Sequence, residues 1–179
     1  MTSATLCSIN SERSAYQEGD PFGEGPSRAL AQALKMAEEY GFSINNYDNY
    51  VGTADLNDGE HQLDILAHLD VVPAGEGWTV TQPFEPIVKD GKLYGRGTAD
   101  DKGPAVAALY AMRAVKELGI PVRKNVRLIL GTDEECGSSD IEHYYKVGEG
   151  SADDIFTGCF VPGYQYRKRT FPGACDSFF

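Results

Sequence analysis

Cations are scarce in this chain. Its 179 residues carry 16 Lys and Arg against 27 Asp and Glu, a formal net charge of −11. A nucleic-acid binder needs a basic face to displace counterions from phosphates, so that class is not expected. No apolar run approaches the ~20 residues that cross a bilayer, so no membrane span is expected either. The opening MTSATLCSINSERSAY has no basic start and no long apolar stretch, and does not read as a secretory signal. Four cysteines occur, Cys7, Cys136, Cys159 and Cys175, none in CxxC spacing. They suit reduced thiols in a cytoplasmic protein better than a disulfide framework. No repeat or low-complexity segment is visible. What is there, 41% hydrophobic and 24% charged residues, is the composition of a globular domain with a core of its own.

The pattern predicts alternating strands and helices. PSRALAQALKMAEEYGF opens with Pro26, closes at Gly41, and repeats apolar residues at Leu30, Ala33, Leu34 and Ala37, the period of an amphipathic helix. YVGTADL and HQLDILAHL read as strands, joined by NDGE as a hairpin turn. FEPIVKDGKLYGRG reads as a second hairpin turning at Asp90-Gly91. GPAVAALYAMRAVKELGIP reads as a helix with Pro104 in its first turn and Gly119 at its end. NVRLILGTDEE is a strand that runs into acids, and SSDIEHYYKVG a short helix with capping-box spacing at Ser139 and Glu142. The expected fold is α/β, a mixed sheet flanked by helices.

Three polar clusters fall at or beyond predicted strand ends, the edge where α/β sheets bind ligands. The first is His68-Leu69-Asp70. In extended chain, residues i and i+2 share a face. Asp70 could therefore hold the second ring N–H of a metal-bound His68. The same spacing fits a strand-end histidine bonded to its neighbour, and the tripeptide alone does not choose. The second is GRGTADDKG, which lacks the glycine and lysine spacing of a phosphate loop. The third, GTDEECG, fits either a solvated acidic turn or a set of ligands. One imidazole with several carboxylates suits Zn²⁺, Mn²⁺ or Co²⁺. Lys102 is expected as a charge partner for the acids, Cys136 as a small buried residue, and His61 and His143 as surface histidines.

With HLDVVPAGEGW, LYGRGTADDKGP and GTDEECGSSD in the same order and at similar spacing, the chain resembles the dinuclear-metal exopeptidases, the family of carnosinase, aminoacylase and peptidase V. INSER and PFGEGP bring the chain nearest to the peptidase V-like dipeptidases. The resemblance runs from about Leu6 to about Thr157. It implies a zinc-exopeptidase-like catalytic domain and two divalent metal ions, Zn²⁺ or Mn²⁺, with Co²⁺ as an alternative. His68 would bind the first metal, with Asp70 orienting it. Asp100 would bridge both metals, and Asp101 would not. Glu135 would bind the second metal, and Glu134 would be the general base. The implied reaction is hydrolysis of dipeptides or short peptides.

Members of that family are well over twice this length, with further ligands and a lid beyond the third motif. Residues 1–157 are therefore expected to be the N-terminal part of a catalytic domain, with the lid and the C-terminal half absent and activity impaired. The alternatives are a non-catalytic metal- or peptide-binding fragment, or a part that completes a site with another chain. Residues 158–179 have no period and carry a basic cluster at Arg167–Arg169. Reverse-translated one base later, the tail from Thr157 can encode Pro-Asp-Ala and a family-like continuation. A frameshift near codon 157 and a poorly ordered tail are the expectation.

Overall fold

The computed structural model describes residues 2–147 and 154–157. The expected frameshifted tail, with Cys159 and Cys175, lies outside them. The elements in chain order are α1 (Thr2–Cys7), α2 (Glu24–Glu39), β1 (Ser43–Tyr47), β2 (Val51–Asp55), β3 (His61–His68), β4 (Ile87–Lys89), β5 (Lys92–Tyr94), α3 (Lys102–Glu117), β6 (Asn125–Gly131), a 3₁₀ turn (Glu134–Cys136), α4 (Ser139–Val147) and β7 (Asp154–Thr157). Five strands form one mixed sheet in the order β1-β2-β6-β3-β7. β6 runs antiparallel to β2 and parallel to β3, and β3 runs parallel to β7. The expected mixed α/β fold is the one that forms. Among the described residues no helix is long and apolar enough to cross a membrane.

Strand alternation divides the core between the two faces. Leu128 and Leu130 of β6 pack with Leu30, Leu34, Val106 and Leu109 of α2 and α3, in the main cluster that also holds Leu6 of α1. Ile129, between them, packs with Val51 and Tyr144 in a smaller cluster under α4. Arg127 shares that second face and is buried. Its guanidinium meets Asp55 at two points, Nε to Oδ1 at 2.8 Å and Nη2 to Oδ2 at 3.1 Å, and donates to the Tyr144 hydroxyl at 3.1 Å. Asn125 donates to the same Asp55 carboxylate.

The hairpin expected between β2 and β3 is not formed, because β6 lies between them. β2 is buried along its whole length, so it needs a partner on each side. β1 supplies one and the apolar β6 the other. The NDGE segment still turns, with Gly59 N–H donating to Asn57 Oδ1 at 2.8 Å. Its side is covered by the chain entering β6: a Cβ on Gly59 would lie 2.6 Å from the Arg123 carbonyl. The hairpin actually present in the sheet is β1–β2. It turns on Asp48 and Asn49, both at positive φ (55° and 60°). That is the backbone a tight antiparallel turn requires, without the usual glycine. The Asp90-Gly91 hairpin forms as expected between β4 and β5.

Smaller expectations are also corrected at Ser139 and Cys136. The capping box at Ser139 is absent, because the Ser139 hydroxyl donates to the buried Asp133 carboxylate at 2.6 Å. Cys136 is exposed on the 3₁₀ turn, where Asp133 and Asp140 take the inward positions instead. His61 and His143 each pair with a carboxylate, Asp64 at 2.8 Å and Asp48 at 3.0 Å, and His143 stacks on Tyr50. Lys102 is fully buried and donates to the Ile9 carbonyl at 2.7 Å. Burial lowers its pKa to about 8 against the pull of Cys7 and Asp70.

Candidate metal centre

The site is built where β3 and β6 end side by side. The two strands pair in parallel up to His68 opposite Gly131, so both chains leave the sheet at one edge. His68 is the last residue of β3 and is buried. Its Nδ1 lies 3.1 Å from the Asp70 carbonyl and 3.2 Å from Asp70 Oδ1. Either acceptor holds the proton on Nδ1 and turns Nε2 toward the site. Nε2 faces Asp100 Oδ1 at 3.1 Å and Glu134 Oε2 at 3.7 Å. Burial disfavours a second proton on this ring, but Asp70, Asp101 and Glu134 outweigh it and raise the pKa to about 10.

The acids come from two other elements. Asp100 and Asp101 precede α3. Asp100 is exposed into the site, whereas buried Asp101 turns away and accepts the His68 backbone N–H at 3.1 Å. Burial raises the Asp101 carboxyl to about 6. Glu134 and Glu135 sit on the 3₁₀ turn after β6. One ligand atom each from His68, Asp100 and Glu135 lie within 4.8 Å of one another. Burial raises the Glu135 pKa, and the Asp100 charge adds to it. An imidazole nitrogen amid crowded carboxylates is a donor set that fits a divalent cation, which would take the place of the ring's second proton and relieve the repulsion among the acids. The motifs read from sequence are thus brought together, with Asp101 outside the cluster.

The structure adds residues that the sequence reading missed. Asp70 does more than face His68: its carboxylate accepts the backbone N–H of Glu134 at 3.2 Å and of Glu135 at 3.0 Å. Asp140 accepts the N–H groups of Thr132 and Asp133, the latter at 3.0 Å, and also that of Ile141. Four successive amides, 132 to 135, are therefore tied to two buried carboxylates. Gly131 permits this approach, since a Cβ there would sit 2.5 Å from Asp140 Oδ2. Asp133 pairs with Arg13, 120 residues away. Nothing periodic marks Asp133, Asp140 or Arg13 in the sequence.

Burial raises Asp140 to about 6 despite its backbone donors. A carboxyl whose folded pKa exceeds its unfolded value takes up its proton first in the folded state. Acidification from pH 6 toward 4 therefore favours folding through this group, and the gain ends below the unfolded pKa. The expected contribution is on the order of 2–3 kcal/mol. Urea unfolding of the wild type and Asp140→Asn at several pH values checks it. The wild-type stability should rise relative to the variant as pH falls through this window, and parallel curves would refute the assignment.

Comparison with known proteins follows the same residues. A sequence profile of peptidase family M20/M25/M40 matches residues 65–170, more than half of the chain. The putative dipeptidase YtjP of Bacillus subtilis is 44% identical over 131 residues, which cover 73% of this chain and 28% of that protein. The Beta-Ala-Xaa dipeptidase of Lactobacillus delbrueckii subsp. lactis is 43% identical over 138 residues, 76% of this chain and 29% of that one. Human carnosine dipeptidase 1 superposes with a TM-score of 0.71 at 26% identity, over 86% of this chain and 36% of that chain. The dipeptidase Dug1p of Saccharomyces cerevisiae shares the fold, with a TM-score of 0.72 at 20% identity over 87% of this chain and 37% of that chain. The chain spans less than a third of the length of these curated relatives. By its profile match, this chain belongs to peptidase family M20/M25/M40.

Proposed function

We propose that this chain carries part of the site of a cytoplasmic, metal-dependent dipeptidase with a two-ion centre. The supporting observation is the convergence of His68, Asp100 and Glu135 at one sheet edge, with Glu134 beside them. His68 Nε2 would hold one divalent ion and Glu135 the other, with Asp100 between them. Zn²⁺, Mn²⁺ and Co²⁺ all suit this mixed donor set. When bound, the ions would polarise the substrate carbonyl and acidify a water. Asp70 fixes the His68 ring through Nδ1 and, through the two glutamate amides, the turn that bears Glu134. The Glu134 carboxylate is half-exposed and lies 3.7 Å from His68 Nε2, beyond hydrogen-bond reach. It would take the proton from the attacking water as the C–O bond forms. It would then deliver that proton to the amine as the C–N bond breaks. The substrate class rests on the dipeptidases among the relatives.

Titration of the chain with Mn²⁺, Co²⁺ and Zn²⁺ by calorimetry, followed by a dipeptide-hydrolysis assay, tests this reading. His68→Ala is expected to weaken binding by at least ~10–100-fold, because even partners one shell further out have effects of that size. Unchanged affinity in that variant would remove His68 from the site. Metal binding without any hydrolysis would favour a non-catalytic binding role.

A further inference from the structure

We propose that Ser11-Glu12-Arg13 is a clasp that aligns the two segments of the site, with Arg13 a positioning residue for the turn that bears Glu134 and Glu135. The proposal rests on the metal-site reading for its functional meaning. Three consecutive side chains reach three separate points. Ser11 is fully buried, and its hydroxyl donates to the Leu69 carbonyl at 2.7 Å. Its own carbonyl accepts the Val71 N–H at 3.3 Å, so this strand-like contact brackets Asp70. The Glu12 carboxylate accepts the Ala74 N–H at 2.9 Å. Arg13 then crosses to the other segment and forms an ion pair with Asp133.

Asp133 is where the second segment can be held. Its side chain has no exposed surface. One carboxylate oxygen meets Arg13, and the other accepts the Ser139 hydroxyl and amide, at 2.6 and 3.3 Å. Its carbonyl accepts the Cys136 and Ser138 amides and so closes the turn on itself. A buried carboxylate stripped of its cation must find solvent or a proton, and either moves the backbone next to Glu134. Arg13 lies over the Phe22 ring, 5.0 Å from its centre, which fixes the guanidinium without burying it. Its side chain is 41% exposed, so removing it opens no core cavity and its effect should stay local.

Hydrogen exchange resolved by residue tests the clasp without any metal. In Arg13→Ala the amides of Glu134 and Glu135, which donate to Asp70, should exchange at least ~10-fold faster, while those in the middle of β3 and β6 change less than about threefold. Arg13→Lys should fall between, because a point charge keeps the attraction and loses the planar guanidinium that lies over Phe22. Arg13→Gln keeps the stem over Phe22 and reads the same exchange should the alanine variant not fold. Unchanged exchange at Glu134 and Glu135, or an equal rise throughout β6 in all variants, would overturn the proposal. A second measurement follows Co²⁺ affinity and its visible spectrum. Affinity in Arg13→Ala should drop at least about fivefold, with an altered spectrum, since Glu135 is displaced. Wild-type protein that binds no Co²⁺ would refute the metal reading, and the exchange result would still decide the clasp.

Discussion

Arg127→Met is expected to lower the unfolding free energy by about 3–5 kcal/mol, seen as a lower urea midpoint at unchanged slope. Arg127 and Asp55 are both buried, and two bonds join them in a fork. Burial opposes the guanidinium charge, yet Asp55 and Tyr144 together raise its pKa above the ordinary arginine value. Methionine fills much of the same volume, so the loss reports on charge rather than on a cavity. It leaves the Asp55 carboxylate in the sheet interior with Asn125 as its remaining side-chain donor among the described residues, and it removes a partner of the Tyr144 hydroxyl. Pairing the change with Asp55→Leu should recover much of the loss, since an apolar replacement of the whole pair removes the unpaired charge. A loss under about 1 kcal/mol would show that water reaches Asp55 easily.

The parts legible in the sequence were those fixed by neighbours in the chain. α2 and α3 were marked by their apolar period and by glycines past their ends. The β4–β5 turn was marked by Asp90-Gly91. The pairing of β2 with β6 was not legible, because two strands 70 residues apart choose each other by burial on both sides rather than by the turn between β2 and β3. The β1–β2 hairpin escaped notice because Asp48 and Asn49 do without glycine what such a turn needs.

The site divides in the same way. His68, Asp100, Glu134 and Glu135 stood out as local clusters at strand ends, and a family resemblance assigned roles that spacing alone left open. The groups that hold those clusters still were invisible. Asp133 and Asp140 look like more of an acidic surface run. Only the fold shows that they are buried and spent on backbone amides, on Ser139 and on Arg13. Charge density in sequence therefore overstated how many acids face the candidate site, because buried carboxylates serve equally well as turn-forming acceptors.

Glu134→Gln separates holding an ion from using it, and here the expected effect is largest. Under the proposed roles, the substitution should lower whatever dipeptide hydrolysis the Mn²⁺-loaded chain sustains by about 10²–10⁴-fold, the usual contribution of a positioned base. Metal affinity should fall far less than turnover, since Glu134 supplies no atom to the convergent set. The neighbouring Glu135→Gln should do the reverse and weaken metal binding first, because one of its oxygens belongs to the convergent set around His68 Nε2. The contrast is sharp because the two residues are adjacent, sit on one turn, and have amides held by one carboxylate. Any general disturbance of the turn would strike both alike. Glutamine preserves the size and hydrogen-bonding reach of the side chain and removes only its capacity to take a proton. If Glu134→Gln retained more than about a tenth of the turnover, the base would have to be sought elsewhere. If both variants lost metal and turnover together, the division of labour between the two glutamates would be wrong.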